Sequence, residues 1–103
     1  MEITENPSEF DKRQLKLIAE IVRSIKNKLE DNGIPDEHLA GTTSDVAFAV
    51  ATIIDGSRVM FADGKPLIPV LTFADDEART KLITRDGGSS MHDYVEGTVD
   101  DIC

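Results

Sequence analysis

Ser90-Met91-His92-Asp93 puts a hydroxyl, an imidazole and a carboxylate side by side, the three group types of a nucleophilic triad. A triad needs those side chains in one line of hydrogen bonds. Within a single helical turn they point in different directions, so the local cluster does not make an activated serine. The preceding stretch, Gly87-Gly88-Ser89-Ser90, opens a helix. Unpaired backbone N–H groups at such a terminus attract phosphate or carboxylate. The stretch lacks the lysine and glycine spacing of a phosphate-binding loop and the spacing of the dinucleotide fingerprint. Gly87, Gly88, Ser89, Ser90 and His92 are the candidate ligand-binding residues, set against the plainer reading of a tight turn and a helix cap.

Other reactive side chains are sparse. His38, in Asp36-Glu37-His38, is distant in sequence from His92, and no third ligand stands at zinc-binding spacing. Asp75-Asp76-Glu77 lacks the alternating ligands and the glycine of a calcium loop and reads as a solvated turn with an N-cap. Cys103 is a lone thiol beside Asp100 and Asp101, and nearby acids do not favour a thiolate. No catalytic residue, metal site or cofactor is expected.

Charge is more informative than chemistry. Six of the eleven Lys and Arg residues lie between Lys12 and Lys28, and Lys12, Lys16, Arg23 and Lys26 share one arc of a helix. The last eighteen residues hold five acids and no Lys or Arg, with Asp93, Glu96 and Asp100 on one arc. Two solvated helix faces would explain this pattern. The sharper reading is that the two stripes meet, within the chain or across a homodimer. It makes Lys12, Leu15, Lys16 and Arg23 the candidate partner-binding residues.

These groups must be positioned by a small set of elements. Residues 1–7 read as a tail. Ser8 with Asp11 forms a capping-box pattern, and Leu15, Ile18, Val22, Ile25 and Leu29 keep the spacing of one helical face. Gly33 and Pro35 end that helix. Phe10, Leu17 and Ile21 widen its apolar face enough to contact more than one element. Residues 34–45 read as a connector with one helical turn at 36–40. Val46–Ile54 is ambiguous between a short buried helix, which three alanines and Gly56 favour, and a β-strand. Val59–Ala62, a turn at Asp63-Gly64-Lys65-Pro66 and Leu67–Phe73 read as a hairpin. Residues 79–85 read as a charged edge strand. Met91, Tyr94, Val95, Thr98, Val99 and Ile102 describe an amphipathic terminal helix, with Ser90 and Asp93 as its capping box. The expected fold is α+β in the order α-α-β-β-β-α. Its long N-terminal and C-terminal helices pack on a small antiparallel sheet in one domain, residues 8–103.

Composition bounds the function. A chain of 103 residues with 40% hydrophobic and 30% charged content suits one folded domain. The net charge of −9 opposes direct binding to nucleic acid or anionic membrane. No apolar run approaches bilayer length, and the N-terminal residues lack the pattern of a secretory signal. A single Cys forms no internal disulfide. A cytoplasmic protein is expected. The leading functional expectation is a non-enzymatic protein-interaction or regulatory module, with self-association as its simplest form. The alternatives are a small-molecule or anion-binding domain, enzymatic or not, built on Gly87–His92, and an acidic mimic of nucleic acid.

Overall fold

The computed structural model describes residues 1–103. Three helices and small sheets make the fold α+β, in the expected order of helix, helix, strands, helix. The first helix, α1, spans Pro7–Asp31. Its N-cap is Asn6, whose side chain accepts from the Glu9 N–H at 3.2 Å, with Pro7 in the first turn. A proline there gives up an N–H that would be unpaired anyway, so the chain enters the helix before Ser8. Neither expected capping box closes: the Asp11 side chain serves Gln14 and Arg85 instead, and Ser90 makes no side-chain cap. The helix stops as expected. Gly33 takes φ +81°, its N–H bonds Glu30 O at 3.0 Å, and the Ile34 N–H bonds Leu29 O at 3.0 Å, the paired bonds of a Schellman ending.

The second helix, α2, spans Asp36–Ile54, so the ambiguous segment is helical. It also absorbs the expected connector, since Gly41 interrupts nothing. Acidic Asp36 and Glu37 occupy its first turn, where they complement the helix dipole. A 3₁₀ turn at Met91–Tyr94 leads into the third helix, α3, Val95–Ile102.

The core lies among these helices. Ile18 and Val22 of α1, Ala47 and Ala51 of α2, and Met91, Val95 and Val99 form one buried cluster, with Leu17, Ile21, Ile25, Tyr94 and Ile102 packed against it. The alanines let α1 and α3 approach the α2 backbone closely. The wide face of α1 is thereby accounted for, since it meets α2, α3 and a strand together. The terminal helix thus packs on the other helices, where a sheet was expected. The same core encloses Thr43, whose hydroxyl has no hydrogen-bond partner.

The strands depart most from expectation. Residues 1–7 are not merely a tail: β1, Glu2–Glu5, pairs in parallel with β5, Lys81–Thr84, with Ile3 opposite Leu82. The strand β4, Phe73–Ala74, pairs antiparallel with the other side of β5. Residues 81–84 are therefore the centre of a mixed three-stranded sheet, not its edge. Phe10 ties α1 to that sheet through an edge-to-face contact with Phe73 at 5.2 Å.

A hairpin forms here, but it is minimal and its return strand is Lys65–Pro66, read above as turn, in place of Leu67–Phe73. Phe61–Ala62 (β2) and Lys65–Pro66 (β3) form a separate two-stranded ladder. Asp63 and Gly64 both take positive φ at its tip, as a two-residue hairpin turn demands. Leu67–Thr72 belong to no strand. Residues 58–70 thus form an arm. The arm leaves most of its large apolar side chains exposed.

Candidate functional site

The Asp55-Gly56-Ser57 sequence at the end of α2 and the start of the 3₁₀ turn meet at one carboxylate. The Asp55 Oδ1 accepts from the Ser57 N–H at 3.0 Å, a local Asx turn. Its Oδ2 accepts from the His92 N–H at 3.0 Å and is also in hydrogen-bond contact with His92 Nδ1. The Asp55 side chain has no solvent exposure. Burial works against its ionisation, but the hydrogen bonds from Ser57 and His92 outweigh burial and hold its carboxyl below the ordinary value.

Three amides at the Gly87–His92 terminus have acceptors within the chain. The His92 amide is donated to Asp55, the Met91 amide to Ser89 Oγ at 3.2 Å, and the Asp93 amide to Ser90 O at 2.9 Å. The anion at this helix start is the chain's own Asp55. Gly87 and Gly88 form a turn at φ +81° and +76°. They line a different recess from His92, alongside Asp55, Ile68 and Arg85. Ser89 turns inward, donating to Gln14 Oε1 at 2.8 Å. The Gln14 side chain is fully buried and donates to Asp11 at 2.8 Å, while Arg85 also pairs with Asp11. Ser89 therefore joins α1 to the end of β5 through a satisfied polar network.

His92 itself faces an open cleft of about 460 Å³ lined by Ser44, Asp45, Phe48, His92, Asp93, Val95 and Glu96. The Phe48 ring stands edge-on to the imidazole, centroids 5.8 Å apart. His92 Nε2 lies 3.2 Å from Asp93 Oδ1, so both ring nitrogens face carboxylate oxygens. The cleft offers an oriented imidazole, an aromatic edge and acids. Its Ser44 hydroxyl makes no hydrogen bond with His92, and no group of His, Cys, Asp or Glu is arranged to hold a metal ion.

The candidate partner residues lie on α1. Lys12, Leu15 and Lys16 are exposed, and Arg23 pairs with Glu20 at 3.0 Å. Leu15, Lys16 and Arg23 border a shallow depression with Ala19 and Glu20. No ion pair joins this arc to Asp93, Glu96 or Asp100, although Leu15 lines one recess with Asp93 and Asp101. The acidic turn has structural tasks. Asp75 binds Arg13 at 2.8 Å and, ahead of Glu9, raises the pKa of that guanidinium. Asp76 accepts from the Thr80 hydroxyl and from the Thr80 and Lys81 amides, which holds its carboxyl below the ordinary value.

A larger surface feature was not expected as a site. Val59, Phe61, Leu67, Ile68 and Val70 on the arm are between 48% and 82% exposed. The arm's return path crosses Gly56 so closely that an added Cβ there would lie 2.8 Å from Pro69 O. Its base is tied to α2 by Arg58 Nη2, which donates to Ala49 O at 3.3 Å. The signal for the arm was its apolar hairpin pattern, which does not tell a core ribbon from an uncovered one. The signal for Asp55 was only its place before Gly56, and nothing in the pattern joins it to His92. Comparison with protein-family models, curated proteins and solved structures found no match.

Proposed function

We propose that this chain is a protein-interaction module whose docking surface is the arm and the adjoining side of α2. The observation that carries the reading is the exposure of the five large apolar side chains on residues 58–70. Contiguous apolar surface of this kind marks interaction sites, and an isolated two-stranded hairpin is marginal in water without cover. A cytoplasmic setting suits its single thiol. No helix is long and apolar enough to cross a membrane. A photo-crosslinking residue at position 61, compared with one at exposed Glu30, tests the reading in the native host. Position 61 should give protein adducts and position 30 should not. Equal silence at both positions would sink the interaction reading.

A second reading is favoured by one specific observation, the buttressing of His92 by buried Asp55 beside the cleft. In that reading the cleft takes a small molecule, with His92 Nε2 and Phe48 as its contacts. NMR of the His92 ring during a ligand-library titration tests it. Shifts confined to His92, Phe48 and Ser44 would support it, and an unperturbed ring throughout would remove it.

A further inference from the structure

The sequence of α2 does not suit a helix with one wet side. Between Thr42 and Ile54 its only charged residue is Asp45. At 100° per residue, Ala47 and Ala51 mark the core side, while Val46, Phe48, Ala49 and Ile53 fall across the other side, interspersed with Thr42, Asp45 and Thr52. Val46, Phe48 and Ile53 are each more than a third exposed. Large apolar side chains exposed together on one side of a helix favour a cover. Here the uncovered side is continuous with the arm, because Arg58 anchors the arm's base on Ala49 O.

From this surface we infer that the chain forms a two-fold homodimer in which each arm lies across the outer side of the other protomer's α2. This rests on the interaction reading above and names its partner. Exposure is the first argument. Five large apolar residues of the arm are 48–82% exposed and three of α2 are 38–48% exposed. Eight such residues on adjoining elements are more than the singly scattered exposed apolar residues that need no explanation on a monomer. Geometry is the second. A two-fold interface needs one patch that complements itself. This chain carries an exposed ribbon and a bare helix side as neighbouring halves of one surface. Strand pairing in the ribbon covers only Phe61–Ala62 and Lys65–Pro66. The apolar residues from Val46 to Ile53 run about 10 Å at helical rise, within the roughly 17 Å that five residue steps from Arg58 to Asp63 could span if fully extended.

Charge is the third argument. On a chain of net charge −9, the arm is locally basic, with Arg58 and Lys65 against Asp63 alone. The helix side it would cover is acidic at its rim, where Asp45, Asp93 and Glu96 border one cleft. In the exchanged arrangement Lys65 of each arm approaches that acidic rim on the other protomer. The basic arc at Lys12, Lys16 and Arg23 then remains outside the interface.

Sedimentation equilibrium of the intact chain tests the inference. The expected mass is twice 11.3 kDa. Phe61→Ser with Ile68→Ser, and separately Ile53→Lys, should each yield monomers whose far-UV circular dichroism is unchanged. Because an apolar-site variant can fail to fold, the exposed pair Asp45 and Lys65 provides an independent arm. Asp45→Lys and Lys65→Glu should each weaken association about 2- to 5-fold at low salt, and the double exchange should restore it. A strict monomer at millimolar concentration overturns the homodimer. So does a dimer indifferent to all of these substitutions. Adducts of other proteins from position 61, beside a monomeric purified chain, would overturn the homodimer while leaving the interaction reading standing.

Discussion

The helical body and the arm spend similar residues in opposite ways. Ile18 and Val22 in the body have no solvent exposure, while Val59 and Val70 in the arm keep 82% and 69% of theirs. Valine is equally apolar in both places. The difference lies in available neighbours: α1, α2 and α3 converge on one cluster, whereas the arm has a ladder of two residue pairs and α2's end for support. Hydrophobicity says that a residue should be covered, and topology decides whether its own chain can cover it.

The sharpest way to break this comparison is a charge in the body. Val22→Asp places an unpaired carboxylate where no solvent reaches, and should cost more than about 4 kcal/mol. A chain of this size has a total stability of about 5–15 kcal/mol, so the variant should be largely unfolded or melt far below the parent. A melting curve near the parent's would mean that the helical cluster is not the stabilising core.

A middle-sized effect lies at the seam between body and arm. Asp55 closes α2, accepts the Ser57 amide at the arm's base and orients His92. Asp55→Asn keeps the shape but weakens those bonds, and should cost roughly 1–3 kcal/mol near neutral pH. The folded-state pKa of Asp55 is depressed below its ordinary 3.8. Its stabilisation is therefore complete above that value and lost as pH falls through the lower folded-state value. The parent should lose stability on acidification below about pH 3.8, and the Asn variant should lose less over the same range. Parallel acid-denaturation curves would show that Asp55 is not the group responsible.

How much of this was readable beforehand follows from the range of each interaction. The face and C-terminal end of α1 were legible because the spaced aliphatics and Gly33 act within a few residues, whereas its start was read at Ser8 and lies at Pro7 under an Asn6 cap. The body of α2 was half legible: its alanines favoured helix, but apolar residues on every side blur the period that separates helix from strand. The central place of β5 was hidden, because its partner β1 lies at the opposite end of the chain. Lys81 and Arg85 suggested an edge, whereas Arg85 is used by Asp11 of α1. The Asp55–His92 pair was invisible for the same reason, since two residues 37 apart leave no local pattern. The glycine-rich start of the last helix read first as a tight turn and only alternatively as an anion site; Gly87 and Gly88 form the turn, and the His92 amide is donated to Asp55.

The smallest expected effect sharpens the comparison most, because it should touch only one region. Gly64 sits at the arm's tip with φ +76° and nothing within 4 Å of an added Cβ. Gly64→Ala therefore meets no steric neighbour and pays only for its left-handed backbone, about 1 kcal/mol. That strain falls on the two-residue ladder between Phe61–Ala62 and Lys65–Pro66, which opens without disturbing Ile18, Val22 or Val99. Amide exchange should speed up at Leu67, whose N–H bonds Met60 O at 2.9 Å, while amides of α1 and the global melting temperature of the monomer stay unchanged. Gly56→Ala is the matched control, since its Cβ would strike the Pro69 carbonyl and disturb the junction with the body. If Gly64→Ala lowers the monomer's melting temperature as much as Gly56→Ala does, the arm belongs to the same cooperative unit as the helices. Its apolar side chains would then be stabilised from within the chain, and the division between body and arm would fail.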